Sequence, residues 1–329
     1  MLDTLSSAPQ YRAHLLPLWS ALPDGLRGQR LDMDGPQYNA LRTRGSDTRN
    51  AVLVASFRDM GLAWHRGYRR IVLIEHGTGQ SYLGLDHGSY AGGSGRDPVG
   101  LFLHPNETSA SKDRTAYPKA RVRVIGDPRL DTLPARLADG LTTVAISFHW
   151  NWVGRIPETR SALDHYRAVL PALAERFHLI GHAHPKAVGV LMPLYQRLGI
   201  EYVSDFDDVC RRADVYVCDN SSTIFEFAST GRPVFVLNAP WYRPEVEHGG
   251  RFWATADVGP QVDRPETLGD AIEAYVSTGI DPQWWKTGRE AALDIAYAYR
   301  TGAAQRGVRA ITEWLADLGE HERLATGHA

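Results

Sequence analysis

A chain of 329 residues exceeds the usual span of one hydrophobic core, so two domains of ordinary size are expected. Hydrophobic residues make up 43% and charged residues 22%, a balance that excludes a disordered chain. The formal charge of -2 excludes the strongly basic footprint of a nonspecific duplex binder, though not nucleic acid as a substrate.

Two cysteines, Cys210 and Cys218, are too few for a secreted disulfide scaffold and read as reduced, small apolar residues. The first residues lack a basic stretch followed by a long apolar run, and no window approaches 18 apolar residues. The expectation is a cytoplasmic protein with no transmembrane segment. Peripheral contact with a membrane stays open.

In chain order, residues 1–50 read as irregular, broken by Pro17, Pro23, Gly25, Gly28, Gly35, Pro36 and Gly45, with a short helix at 38–42. Short apolar runs then follow at 51–55, 71–75 and 99–103, the pattern of buried strands, and a fourth strand fits the alternating residues 121–125. A helix fits 56–66. Residues 84–98, rich in Gly, Ser and Asp, read as a long loop. The domain boundary falls near 132–141, dividing the chain into 1–135 and 136–329. In the second part strands fit 143–148, 177–181, 200–203, 214–218 and 233–237. Helices fit 159–175, 186–198, 206–212 and 222–230. Residues 283–318 read as two long helices, enough chain to cross back onto the first domain. Strands alternating with helices imply an α/β fold with parallel sheets.

In open parallel sheets, ligands bind beyond the carboxyl ends of the strands. His76, straight after the second run and followed by Gly77-Thr78-Gly79, is a candidate proton acceptor, or else a turn histidine bonded to backbone. His184 precedes Pro185 and would cap a helix, where it and Lys186 suit a phosphate; the His182-x-His184 pair alternatively suggests a metal, with no third ligand near in sequence. Asp219-Asn220-Ser221-Ser222-Thr223 opens a helix that carries Glu226, and suits phosphate and ribose, or an ordinary helix cap. Arg129, in Gly126-Asp127-Pro128-Arg129-Leu130-Asp131, and Arg155, in the aromatic block 148–155, complete the candidates. Of the nine tryptophans, Trp150, Trp152, Trp241, Trp253, Trp284 and Trp285 read first as packing residues and second as rings that stack on a base.

The blocks His76-Gly77-Thr78, 126–131, His184-Pro185 and 219–223, followed by Gly231-Arg232-Pro233-Val234, occur in the order seen in the CDP-glycerol glycerophosphotransferases. The chain resembles that family of teichoic-acid polymerases and primases, roughly over residues 70–240. A broader similarity links it to nucleotide-sugar epimerases and other glycosyltransferases. The resemblance implies a GT-B-like fold, two Rossmann-like domains facing across a cleft, the first on the acceptor side and the second binding the donor. It departs from the family after Thr78, where Gly79-Gln80-Ser81 replaces the usual run. By position it makes His76 the general base and His184 the group that steadies the donor pyrophosphate, with Ser221 and Ser222 holding phosphate oxygens.

The expected activity is transfer of a sugar or polyol-phosphate group from a CDP- or UDP-linked donor to a hydroxyl acceptor: a glycan, polyol phosphate, protein or modified nucleobase. No metal and no cofactor is required by this scheme. The alternatives are an epimerase or hydrolase on the same fold, using Glu75, Asp127 or Asp131, and a non-catalytic nucleotide-binding module.

Overall fold

The computed structural model describes residues 1–32, 50–78, 88–137, 140–151, 160–219, 221–242, 257–279 and 282–326, with side chains to 319. The chain divides into two compact units, Met1–Thr132 with Ala296–Ala329, and Leu133–Ile295.

The first unit begins with β1 (Leu2–Ser6), α1 (Pro9–Ala21) and β2 (Arg27–Asp32). The sequence reading left this stretch irregular, and the structure corrects it. The strand is hidden in sequence because Asp3, Thr4 and Ser6 interrupt its apolar pattern, yet all three are buried. Asp3 shows how. Its Oδ1 accepts from Gln29 N at 2.7 Å and Asn50 Nδ2 at 3.2 Å, and its Oδ2 accepts from Tyr68 OH at 2.7 Å. A buried carboxylate is tolerated when its lone pairs are filled in this way. Pro9 opens α1 where its missing N–H is harmless, although Pro17 lies inside the helix. The helix expected at 38–42 lies outside the described residues.

The unit continues through β3 (Ala51–Val54), α2 (Phe57–His65), β4 (Ile71–Ile74), β5 (Val99–His104), α3 (Glu107–Ala116) and β6 (Arg121–Val124). All pairings are parallel, in the order β2-β1-β3-β4-β5-β6. β3 and β4 are wholly buried, which is why they read as unbroken apolar runs. The order reverses between β1 and β3, and that reversal is where open α/β sheets offer a ligand crevice.

The second unit holds β7 (Thr143–Phe148), α4 (Leu163–Tyr166), α5 (Leu170–Arg176), β8 (His178–Ala183), α6 (Val188–Arg197), β9 (Glu201–Tyr202), α7 (Phe206–Arg212), β10 (Val215–Cys218), α8 (Thr223–Ala228), β11 (Val234–Leu237), β12 (Gln261–Val262), α9 (Leu268–Thr278) and α10 (Gln283–Ala296). The single helix expected at 159–175 is two short ones, the second with Pro171 in its first turn. The parallel order β12-β11-β10-β7-β8-β9 is that of the Rossmann fold, with its reversal between β7 and β10. Gly181 is required in β8: a Cβ there would sit 2.4 Å from the ring of buried Tyr195, whose hydroxyl donates to His182 O at 3.1 Å. Cys210 and Cys218 are buried free thiols.

The chain then returns. α11 (Ala303–Thr326) places Ala310, Ile311 and Trp314 in a core with Leu15 and Leu18 of α1 and with Leu53, Val72, Leu101 and Leu103 of the first sheet. Residue 100 is glycine because Trp314 lies on the β5 backbone, 2.6 Å from where a Cβ would stand. The expected grouping of 136–329 is corrected accordingly: residues 296–329 pack with the first unit because α11 buries its apolar stripe there.

Candidate functional sites

At the carboxyl edge of the first sheet, His76 follows β4. Thr78 anchors its loop, since Thr78 Oγ1 donates to Ala296 O at 2.8 Å while Asn106 Nδ2 donates to that hydroxyl and to the same carbonyl. Gly77 takes a positive φ of 76°, open to glycine, as the chain turns away. The His76 ring packs edge-on to Tyr11 of α1 at 4.7 Å and lies 6.4 Å from the ring of His14. Burial pushes its pKa down to about 4, and the nearness of His14 adds to this; Glu75 and a hydrogen bond to the Ala55 backbone act the other way. His76 is therefore a neutral imidazole at pH 7.

Glu75 does not face the same task. It joins a buried network with Arg96, His104 and Asp113. His104 Nε2 lies 2.9 Å from Asp113 Oδ2 and its Nδ1 3.3 Å from Glu75 Oε2, while Arg96 Nη1 is 2.9 Å from Asp113. Burial opposes charge on His104, but the bonds to Asp113 and Glu75 outweigh it and raise its pKa. Burial likewise opposes charge on Asp113, and His104 and Arg96 outweigh that, lowering its pKa. Glu75, His104 and Asp113 have the spacing of metal ligands. Arg96 and His104 each lie against both carboxylates, so the cluster reads as an ion network. The network also holds the 88–98 stretch. Gly92 N donates to Asp113 at 2.7 Å, Arg96 Nε donates to Gly88 O at 2.7 Å, and Tyr90 and Ala91 are buried.

The 126–131 block divides its labour. Asp127 Oδ1 lies 3.1 Å from His14 Nδ1 and accepts from Arg129 N at 3.0 Å. The Arg129 residue is itself buried. Asp131 accepts from Gly302 N at 2.6 Å and Ala304 N at 2.7 Å, which caps the start of α11.

In the second unit the chemistry gathers at the strand-order reversal. Asp219, after β10, was expected to bind donor. Instead its carboxylate is consumed locally: Oδ1 accepts from His149 N at 2.7 Å and Oδ2 from Ala162 N at 2.8 Å and Ser161 Oγ at 3.3 Å. It ties the loop after β7 to the loop after β10. That tie presents an imidazole–aromatic cluster. The His149 ring lies 5.0 Å from His184, Trp150 lies 5.8 Å from His184, and Lys186 Nζ sits 3.9 Å over the Trp150 ring. His184 Nδ1 accepts from Lys186 N at 3.1 Å, so Nε2 carries the proton of the neutral ring and is a donor. Lys186 is exposed. The metal reading of His182 and His184 is not supported. His182 is turned inward, with Nδ1 2.9 Å from Val203 O and its ring near Phe206, and burial lowers its pKa.

Thr223 N and Oγ1 both donate to Ser221 Oγ, at 3.3 and 2.8 Å, and Thr223 Oγ1 also lies 2.8 Å from Tyr216 OH. Ser222 is half-buried at the N-cap of α8 and makes no side-chain cap bond. Glu226 is buried within α8 rather than displayed on its surface. Arg155 lies outside the described residues. Sequence reasoning missed His14 outright, because it sits in a stretch read as irregular. It noticed His149 only as part of the 148–155 block, and read Trp150 first as a packing residue and second as a ring that stacks on a base.

No helix among the described residues is long and apolar enough to cross a membrane. Residues 151–275 match the CDP-Glycerol:Poly(glycerophosphate) glycerophosphotransferase family. This agrees with the resemblance read from the motifs. The matched range lies in the second unit, so His76 and the 126–131 block fall outside it. Among solved structures, the wall teichoic acid polymerase TagF with CDPG aligns with a TM-score of 0.63 at 13% identity, over 96% of this chain and 89% of that one. MnaA of S. aureus with UDP aligns at 0.59 and 14%, over 96% of each chain. UDP-GlcNAc 2-epimerase from Neisseria meningitidis bound to UDP-GlcNAc aligns at 0.53 and 14%, over 95% of this chain and 99% of that one. At such identities the likeness establishes the fold, which is of the GT-B type with two Rossmann-like sheets. No curated protein sequence matches the chain.

Proposed function

We propose that this chain, glycerophosphotransferase-like over residues 151–275, transfers a sugar or polyol-phosphate group from a nucleotide-diphosphate donor to a hydroxyl acceptor. The observation that carries the reading is the cluster at the β7/β10 reversal, which lies within and beside the matched segment. His184 Nε2–H, the Lys186 ammonium, and the Ser221 and Ser222 hydroxyls are the donors for the pyrophosphate, and Trp150 is the ring for the base. Asp219 acts one step back, by holding the two loops together.

The first unit supplies the base. His76 takes the acceptor proton as the new bond forms, a role its neutral state allows. Negative charge develops on the leaving nucleotide phosphate and is stabilised by the donors of the second unit. The scheme calls on no metal ion.

Calorimetry with CDP-glycerol and UDP-N-acetylglucosamine tests the donor half. Binding of either, weakened at least tenfold in His184→Ala, supports the reading; no binding of either sinks it. His76→Ala tests the other half: transfer is lost while donor affinity holds. Turnover of a UDP-sugar with no acceptor present would instead favour the epimerase alternative. Against that alternative, Glu75 sits in the ion network and Asp131 caps a helix.

A further inference from the structure

Ser221 stands at the end of a line of hydroxyls that begins in the core of the second unit. Tyr216, in β10, is wholly buried, and its ring packs on those of Phe206 and Phe227, with centroids 5.6 and 5.2 Å away. Burial pushes its pKa well up, so the phenol keeps its proton. Ser147 of β7 and Cys218 of β10 border that hydroxyl. Tyr216 OH lies 2.8 Å from Thr223 Oγ1, which in turn lies 2.8 Å from Ser221 Oγ.

The direction of these bonds follows from counting protons. Thr223 has one hydroxyl proton, and Ser221 Oγ accepts it. The contact between Thr223 and Tyr216 then needs Tyr216 as the donor, and a phenol is the stronger acid of the two. Ser221 Oγ also accepts from Thr223 N at 3.3 Å, so both of its lone pairs are taken. What remains to Ser221 is its own proton. Ser221 is half-buried, whereas Tyr216 is closed off from solvent. The line therefore runs outward from the core and ends on a donor. An oxygen that only accepts, as on a phosphate, matches that end.

We propose that Tyr216 and Thr223 are positioning residues that fix Ser221 as a hydrogen-bond donor to the pyrophosphate of the nucleotide. Each bond in such a chain polarises the next and strengthens the last. Neither Tyr216 nor Thr223 has to touch the ligand. The proposal rests on the transferase reading, which assigns Ser221 to the pyrophosphate and gives no part to Tyr216 or Thr223.

Calorimetry on the full chain, with inorganic pyrophosphate and separately with CDP-glycerol and UDP-N-acetylglucosamine, tests the two apart. Ser221→Ala should weaken binding about 10- to 150-fold, the worth of a hydrogen bond to a charged group. Thr223→Val should weaken it about 2- to 12-fold by freeing the Ser221 hydroxyl to turn. Thr223→Ser keeps the hydroxyl and should bind as the wild type does. Tyr216→Phe keeps the ring in the core and should weaken binding measurably, though at most about fivefold. In a Ser221→Ala background neither Thr223→Val nor Tyr216→Phe should cost anything further, because their effect passes through Ser221. A merely structural role would give losses that add in that background. Additive losses, full affinity in Thr223→Val, equal losses in Thr223→Ser and Thr223→Val, or unchanged or tighter binding in Tyr216→Phe would each overturn the proposal while the transferase reading stands. Coupled losses with pyrophosphate, but no binding of either nucleotide donor, would uphold the line of hydroxyls and overturn the transferase reading. A wild-type chain that binds none of the three probes overturns both.

Discussion

The two sheets carry charge in opposite ways. At the edge of the first, Glu75, Arg96, His104 and Asp113 are buried and answer one another. At the edge of the second, Lys186 is exposed and His184 half-buried, resting on an aromatic ring and a backbone N–H. Buried charges are committed to the fold, because removing one leaves the others uncompensated in a low dielectric. Exposed charges contribute little to folding and are available to a ligand. The most severe way to break the contrast is Arg96→Ala or His104→Ala. Either should destabilise the first unit by about 3–5 kcal/mol, measured by denaturant unfolding. Loss of less than 1 kcal/mol would mean the network is solvated and the contrast false.

Acid should sharpen the same contrast. His76 has a pKa of about 4 in the folded chain against an ordinary 6.5. The unfolded chain therefore binds the extra proton between those values. The stability from keeping His76 neutral is complete above 6.5 and is lost as pH falls towards 4, amounting to at most about 3 kcal/mol. His182, also lowered, acts in the same direction from the second unit. His104 runs the other way: its pKa is raised, so its contribution is complete below 6.5 and is lost as pH rises through its folded value. Thermal scans should show stability falling between pH 6.5 and 4, with the fall reduced in His76→Gln. An unchanged slope in that variant would place the acid sensitivity elsewhere.

A smaller effect belongs to Asp131, which accepts from two backbone N–H groups where the chain comes back. Asp131→Ala should cost about 0.5–2 kcal/mol by loss of the helix cap, with donor binding untouched. If donor affinity fell instead, the residue would belong to a site and not to the seam.

What could be read from the sequence follows the same division. Strands buried on both faces announced themselves, since 71–74 and 215–218 contain no polar residue of ordinary type to break the run. β1 did not, because Asp3 is satisfied by partners 26, 47 and 65 positions away that no local pattern reveals. His76 and His184 were legible because each follows a recognisable strand. His14 and Asp127 meet across 113 positions, and His14 lay in a stretch whose prolines argued against structure. Asp219 was singled out for the donor, and the structure gives its carboxylate local hydrogen bonds from His149, Ser161 and Ala162. The motif marks a turn that must be held, and its carboxylate is the clasp. The return of 296–329 to the first unit was foreseen only as something the tail was long enough to do. Choosing it required knowing that β5 offers Gly100 as a seat for Trp314.

The smallest expected change in stability tests the other half of the contrast. Lys186→Met removes an ammonium 3.9 Å above Trp150, an interaction worth about 0.5–1 kcal/mol at an exposed site. The fold should scarcely respond. Donor binding should respond far more, because a hydrogen bond to a charged phosphate is worth about 1.5–3 kcal/mol, or roughly 10- to 150-fold in Kd. The ratio of the two effects matters more than either alone. A charge that served packing would cost stability, as Arg96 should. A charge kept for a ligand costs affinity only. Calorimetry with CDP-glycerol beside thermal unfolding of the same variant gives both numbers. Equal losses in the two measurements would make Lys186 a structural residue and leave the second unit's pyrophosphate to His184 and the serines.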